Sequence, residues 1–177
     1  MPRMRTGGFT LVELMVVIAI LAIVAAIAFP SFQATIRSNR LATATNELTA
    51  SLALARAESL RTPAGASICT SSNGTACTDT PWHQGWIVWI DMKKDGVVNT
   101  GEGDYVVRYS GARKGLSATT VDLPTNRSIR FDNRGLVVGS ARSIRIESST
   151  CPSNAELVRV VQLRATGNVA VTRGKCT

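Results

Sequence analysis

Two hydrophobic patterns follow each other along the first third of the chain. Residues 9–29 read FTLVELMVVIAILAIVAAIAF, apolar all round a helical wheel and interrupted by one charge, Glu13. At about 1.5 Å per residue, a helix over this stretch is roughly 31 Å long, the hydrocarbon thickness of a bilayer. Past Pro30 the pattern becomes amphipathic. Leu41, Ala44, Leu48, Leu52 and Ala55 recur three and four apart, and Arg37, Arg40, Glu47, Arg56 and Glu58 mostly take the other positions. Thr62, Pro63 and Gly65 form a stop signal. The pattern predicts one helix over about residues 9–61, bent or loosened near Pro30. Its second half needs a partner surface for the leucine stripe.

The remainder reads as β. Trp86-Ile87-Val88-Trp89-Ile90 and Tyr105-Val106-Val107-Arg108-Tyr109 are aromatic and β-branched. Ser128-Ile129-Arg130-Phe131, Ser143-Ile144-Arg145-Ile146-Glu147 and Val169-Ala170-Val171 alternate. Turn signals separate them: Asp95-Gly96, Gly101-Glu102-Gly103-Asp104 and Asp132-Asn133-Arg134-Gly135, the last predicting a hairpin between residues 129–131 and 136–138. Several short strands after one long helix predict an α+β fold: a long N-terminal helix, membrane-spanning in its first half, packed on a C-terminal antiparallel β-sheet that buries one face on residues 41–55. The 177 residues suffice for one domain and an appendage, and 45% apolar content excludes disorder throughout. No internal repeat is present.

The N-terminal charges orient the span. The segment MPRMRTGG carries Arg3 and Arg5 and no acid, which places the N-terminus in the cytoplasm and the rest outside. A secretory signal puts small residues after its apolar core; here Gly7-Gly8 lies before it. Glu13, an ionisable group inside a spanning helix, is functional by default. If the chain is cut after Gly8, the ammonium of Phe9 lies one helical turn from Glu13, which can neutralise its own terminus or that of a neighbour.

Gly7-Gly8-Phe9-Thr10-Leu11-Val12-Glu13-Leu14 resembles the class III signal of type IV pilins and type II secretion pseudopilins. The resemblance implies cleavage between Gly8 and Phe9 by prepilin peptidase, N-methylation of Phe9, Glu13 as the acid that guides filament docking, and Pro30 as the site of the helix bend. Gly85-Trp86-Ile87-Val88-Trp89-Ile90-Asp91 with Asp95-Gly96, and Ile129-Arg130-Phe131-Asp132-Asn133-Arg134-Gly135, are similar to the signatures of the GspH/FimT family. The implied organisation is a removed leader over residues 1–8, a transmembrane or filament-core helix over 9–29, its amphipathic continuation over 30–62, and a periplasmic β-rich pilin head over 63–177. The implied function is that of a minor type IV pilin in the bacterial inner membrane and then the filament, priming assembly near the tip and supporting twitching motility and adhesion. Its partners are then other minor pilins, the major pilin, the inner-membrane assembly platform and, before assembly, membrane lipid. A minor pseudopilin of type II secretion shares every N-terminal residue discussed and stays open as an alternative.

Cys69, Cys77, Cys151 and Cys176 all lie in the exported part, and none has metal-ligand spacing. Four cysteines allow three pairings; locality favours Cys69–Cys77 and Cys151–Cys176. Asp91, Asp95, Asn99 and Glu102 lack the spacing of a calcium loop and have Met92, Lys93 and Lys94 among them, so they read as a polar turn. The one histidine, His83, supports no nucleophile–base–acid set, so neither enzyme, metal nor cofactor is expected. The formal charge of +8 comes mostly from 16 arginines and is an electrostatic footprint for DNA. DNA-binding members of the resembled family carry Gly-Arg-x-Arg where this chain has Gly167-Asn168-Val169-Ala170. DNA binding for transformation therefore rests here on Arg164, Arg173 and Lys175 as substitutes, against the plainer reading that they solvate an exposed strand face.

Overall fold

The computed structural model describes residues 9–121 and 128–177, the side chain of Pro30 excepted. Gly8 and the rest of the 1–8 segment lie outside the described residues. One helix, α1 (Leu11–Ser59), takes up 49 residues. It runs through Pro30 without a break: a proline deletes one backbone donor, and the long helix on both sides holds the pitch. The chain forms two compact units, one ending at Ile36 and one beginning at Arg37. In the first, every residue from Phe9 to Phe29 is exposed, and the stretch is long and apolar enough to cross a membrane.

The second unit is a head in which the rest of α1 packs on two antiparallel sheets rather than the single sheet expected. Its strands are β1 (Ala66–Thr70), β2 (Trp86–Ile90), β3 (Tyr105–Ser110), β4 (Leu116–Thr120), β5 (Ser128–Phe131), β6 (Arg142–Ser148), β7 (Val158–Leu163) and β8 (Val169–Gly174). One sheet has the order β3-β2-β1-β5, the other β4-β6-β7-β8. The split follows from β4, which pairs with β6 instead of continuing from β3, while β5 returns to pair with β1. A helix about 10 Å across offers a narrow stripe, and two four-stranded sheets can both reach it. Leu41, Ala44, Leu48, Leu52 and Ala55 are buried in one cluster with Ile68, Val88 and Phe131 of the first sheet and Ile144, Val161 and Leu163 of the second.

The expected 129–138 hairpin is only half formed. Its returning arm makes a single bridge, Phe131 to Val137, and Val138 N donates to Arg130 O at 2.8 Å. Val137 N instead donates to Ala165 O at 2.9 Å, so this arm ties the two sheets together. Two of the three buried indoles find polar partners, Trp86 Nε1 donating to Ser51 Oγ at 2.9 Å and Trp82 Nε1 to Thr120 Oγ1 at 3.0 Å, while Trp89 Nε1 is buried without one. Cys69 is bonded to Cys77 and Cys151 to Cys176, with Cα separations of 5.7 and 5.5 Å. The first staple closes the loop after β1; the second holds the tail beyond β8 against the loop before β7.

Candidate functional site

The N-terminal end of α1 is built by two side chains. Glu13 N donates to Thr10 Oγ1 at 3.2 Å, and Thr10 N donates back to Glu13 Oε2 at 3.2 Å. Thr10 Oγ1 also lies 3.3 Å from the same carboxylate oxygen. This is a capping box, in which two of the helix's orphan amides are satisfied reciprocally. The carboxylate of Glu13 therefore has a partner within its own chain in a segment otherwise apolar and exposed. The spacing Thr10-x-x-Glu13 just before an apolar run is the sequence signature of this arrangement, and reading Glu13 against Phe9 alone passed over Thr10. Phe9 itself is 88% exposed.

In the head, the acids of the 91–104 segment build a loop. Asp91 is buried and accepts from the backbone amides of Lys94, Asp95 and Gly96. Buried Asp104 accepts from Met92 N and Asn99 N, both at 2.8 Å. Glu102 pairs with Lys93, and the Asn99 side chain accepts from Gly101 N. Their lone pairs are turned to the chain itself, as a polar turn requires. His83 is equally structural: its Nδ1 accepts from Ala118 N at 3.2 Å.

The basic residues fall into separate places. Arg164 is exposed at the turn between β7 and β8, whereas Arg173 and Lys175 are exposed at the far end of β8. Five residue steps of strand, at about 3.3 Å each, separate Asn168 from Arg173, so the three do not form one cluster. At the Arg164 turn the chain is tightly locked. Arg56 donates from Nε to Gly135 O at 3.2 Å and from its terminal amine to Asn168 Oδ1 at 2.9 Å. Gly167 (φ +78°) is required there, because a Cβ would stand 2.2 Å from Gly135 O. Asn168 is thus the acceptor of a latch joining α1 to both sheets. At the other end, Arg159 faces Arg173 across β7 and β8. Burial first, then the Arg173 charge, pushes its pKa below the usual arginine value, against a smaller opposing effect from Glu156.

Over residues 44–167 the sequence matches the protein family described as Type II transport protein GspH. The chain belongs to the GspH family. Residues 3–29 match the prokaryotic N-terminal methylation motif, which spans Gly8, Phe9, Thr10 and Glu13. No curated protein matches the sequence. The fold is that of two crystal structures of the type IV minor pilin FimU from Pseudomonas aeruginosa strain PAO1. The P21 form superposes with a TM-score of 0.59 at 19% identity, covering 76% of this chain and 89% of that one. The P65 form gives 0.55 at 18% identity, covering 73% and 90%. The GspH-family protein is therefore a minor pilin or pseudopilin with the pilin fold, a long N-terminal helix on antiparallel sheets. Its family match begins inside the leucine stripe and ends at Gly167, leaving β8 and the disulfide-held tail beyond it.

Proposed function

We propose that this GspH-family protein is a minor pilin of a type IV pilus. In this reading the chain is inserted in the bacterial inner membrane with its N-terminus cytoplasmic. Prepilin peptidase cuts it between Gly8 and Phe9, and Phe9 is N-methylated. The 9–29 helix then leaves the lipid for the filament core, giving at Pro30, and the head contacts other minor pilins near the tip. The observation that carries the reading is the conjunction, in one chain, of the methylation motif over residues 3–29 with the GspH match over 44–167. Glu13 supports it physically: a carboxylate held by Thr10 can exchange that partner for the ammonium of a neighbour's Phe9, which pairs two charges that lipid disfavours singly.

The family's description as a type II transport protein favours a second reading, a minor pseudopilin of the secretion machine. Mass spectrometry of sheared pili separates the two. The pilin reading requires the chain in the sheared fraction, beginning at a methylated Phe9. Pili that lack it, with the processed chain confined to the cell envelope, contradict that reading and leave the pseudopilin.

A further inference from the structure

The two ends of the head differ in charge. Among the described residues, the end where α1 finishes interleaves both signs, with ion pairs Arg61–Glu58 and Lys93–Glu102 beside Asp91, Asp104 and Asp132. At the opposite end, where β4 starts and β8 finishes, cations predominate. The guanidinium of Arg40 lies over Gly115, 3.4 Å from where a Cβ would stand, and Ser149 Oγ lies 4.0 Å from the same point. Arg37, one helical turn earlier, has its Nε shielded from water without a hydrogen-bond partner. Lys114 is exposed beside Gly115, and Lys175 is exposed past the end of β8. Arg159 and Arg173 stand directly opposite each other in the ladder, an unfavourable like-charge pair. Among the described residues the acids at this end are Glu47, ion-paired with Arg113, Glu147, ion-paired with Arg145 and opposite Ser117 and Val158 in the ladder, and Asp79 and Glu156, fewer than the cations.

From this same end the chain leads back to the apolar stretch. Arg37, the first residue of the head unit, follows Phe29 by eight residues of sequence, a tether of at most about 29 Å. Beyond the hydrocarbon, each leaflet adds a polar layer of roughly 5–8 Å. Arginine side chains extend several ångströms beyond their backbone and place the charged head at such an interface. A basic surface within a Debye length of about 8 Å of an anionic bilayer is attracted to it.

We propose that, before assembly, the Arg40 end of the head binds the anionic phosphodiester headgroups of the bilayer that holds residues 9–29. The proposal rests on the membrane-anchored reading above and adds to it a ligand for the head. It makes extraction into a filament a two-part release, of the apolar helix from lipid and of the basic surface from headgroups. The second part is sensitive to salt and to lipid charge.

The test uses the full chain reconstituted into bilayers of phosphatidylcholine alone and of phosphatidylcholine with phosphatidylglycerol. Co-flotation with both compositions first reports anchoring; a chain that floats with neither overturns the anchored reading and this proposal with it. Amide exchange is then read over residues 111–116 and 148–157. The expected result is slower exchange in the anionic bilayers only, reversed by high salt. It should weaken about fivefold for each cation removed in the Arg37→Gln, Arg40→Gln and Lys114→Gln series. Equal exchange in the two bilayers, with anchoring intact, overturns the headgroup contact. Protection that duplex DNA induces equally well in the neutral bilayers overturns it in favour of nucleic acid.

Discussion

The proposed function gives Glu13 a second task beside helix capping, and single substitutions separate the two. Its carboxylate caps α1 with Thr10, and in the proposed function its charge docks the subunit. Glu13→Gln keeps an acceptor for the Thr10 amide and removes the charge; Thr10→Ala keeps the charge and removes the cap, at about 1 kcal/mol of local helix stability. Thr10→Ala should therefore speed amide exchange at residues 12–14 in detergent while pili still form. Glu13→Gln should leave that exchange slow and stop the processed chain from entering pili. Identical behaviour of the two would merge the tasks into one. A second residue-scale comparison concerns glycine. Gly167→Ala drives a methyl into Gly135 O and the Arg56 side chain, whereas Gly96 has nothing within 4 Å of its Cβ position, and both have positive φ. Urea unfolding of the full chain should show Gly167→Ala losing about 3 kcal/mol and Gly96→Ala about 1 kcal/mol.

At the scale of elements, the sequence was legible where side chains face two different environments. The leucine stripe of α1 and the alternation of β5 and β6 each have one buried and one wetter face, and period follows from that. Three strands went unread for three reasons. β1 (Ala-Ser-Ile-Cys-Thr) is buried on both faces, so it shows no alternation. β4 (Leu-Ser-Ala-Thr-Thr) has little apolar bulk, and β7 (Val-Arg-Val-Val-Gln-Leu) breaks strict alternation at its centre. Without those strands a single sheet was the natural expectation. The cysteine pairing was legible by locality, because each pair lies within one loop or one loop and the tail beside it. The closed loops span 8 and 25 residues. Chain entropy alone then makes the Cys69–Cys77 bond contribute about 2.5 kcal/mol and the Cys151–Cys176 bond about 3.5 kcal/mol. Paired Cys→Ser substitutions, followed by thermal unfolding of the full chain, should rank the second as the costlier loss; the reverse order would mean that core packing around buried Cys69 outweighs loop length.

At the scale of the whole molecule, the N-terminal motif and the internal signatures carried the family, while the arrangement of charge on the head needed coordinates. Arg164 lies eleven residues from Lys175 in sequence, yet β8 carries them to opposite ends of the head. Of the two positions where the Gly-Arg-x-Arg motif of the resembled family places arginines, one is Asn168, which Arg56 occupies, and the other is Ala170. Pattern alone does not separate a latch from a ligand contact, because both need polar groups at a turn. Which machine the protein serves is a property of its partners, and a strain deleted for the gene, scored side by side for surface pili and for secreted enzymes, tests it most directly. Loss of pili with secretion intact, restored by the native chain and not by Glu13→Gln, is the result expected of a minor pilin; loss of secretion with normal pili would contradict it and make the protein a pseudopilin.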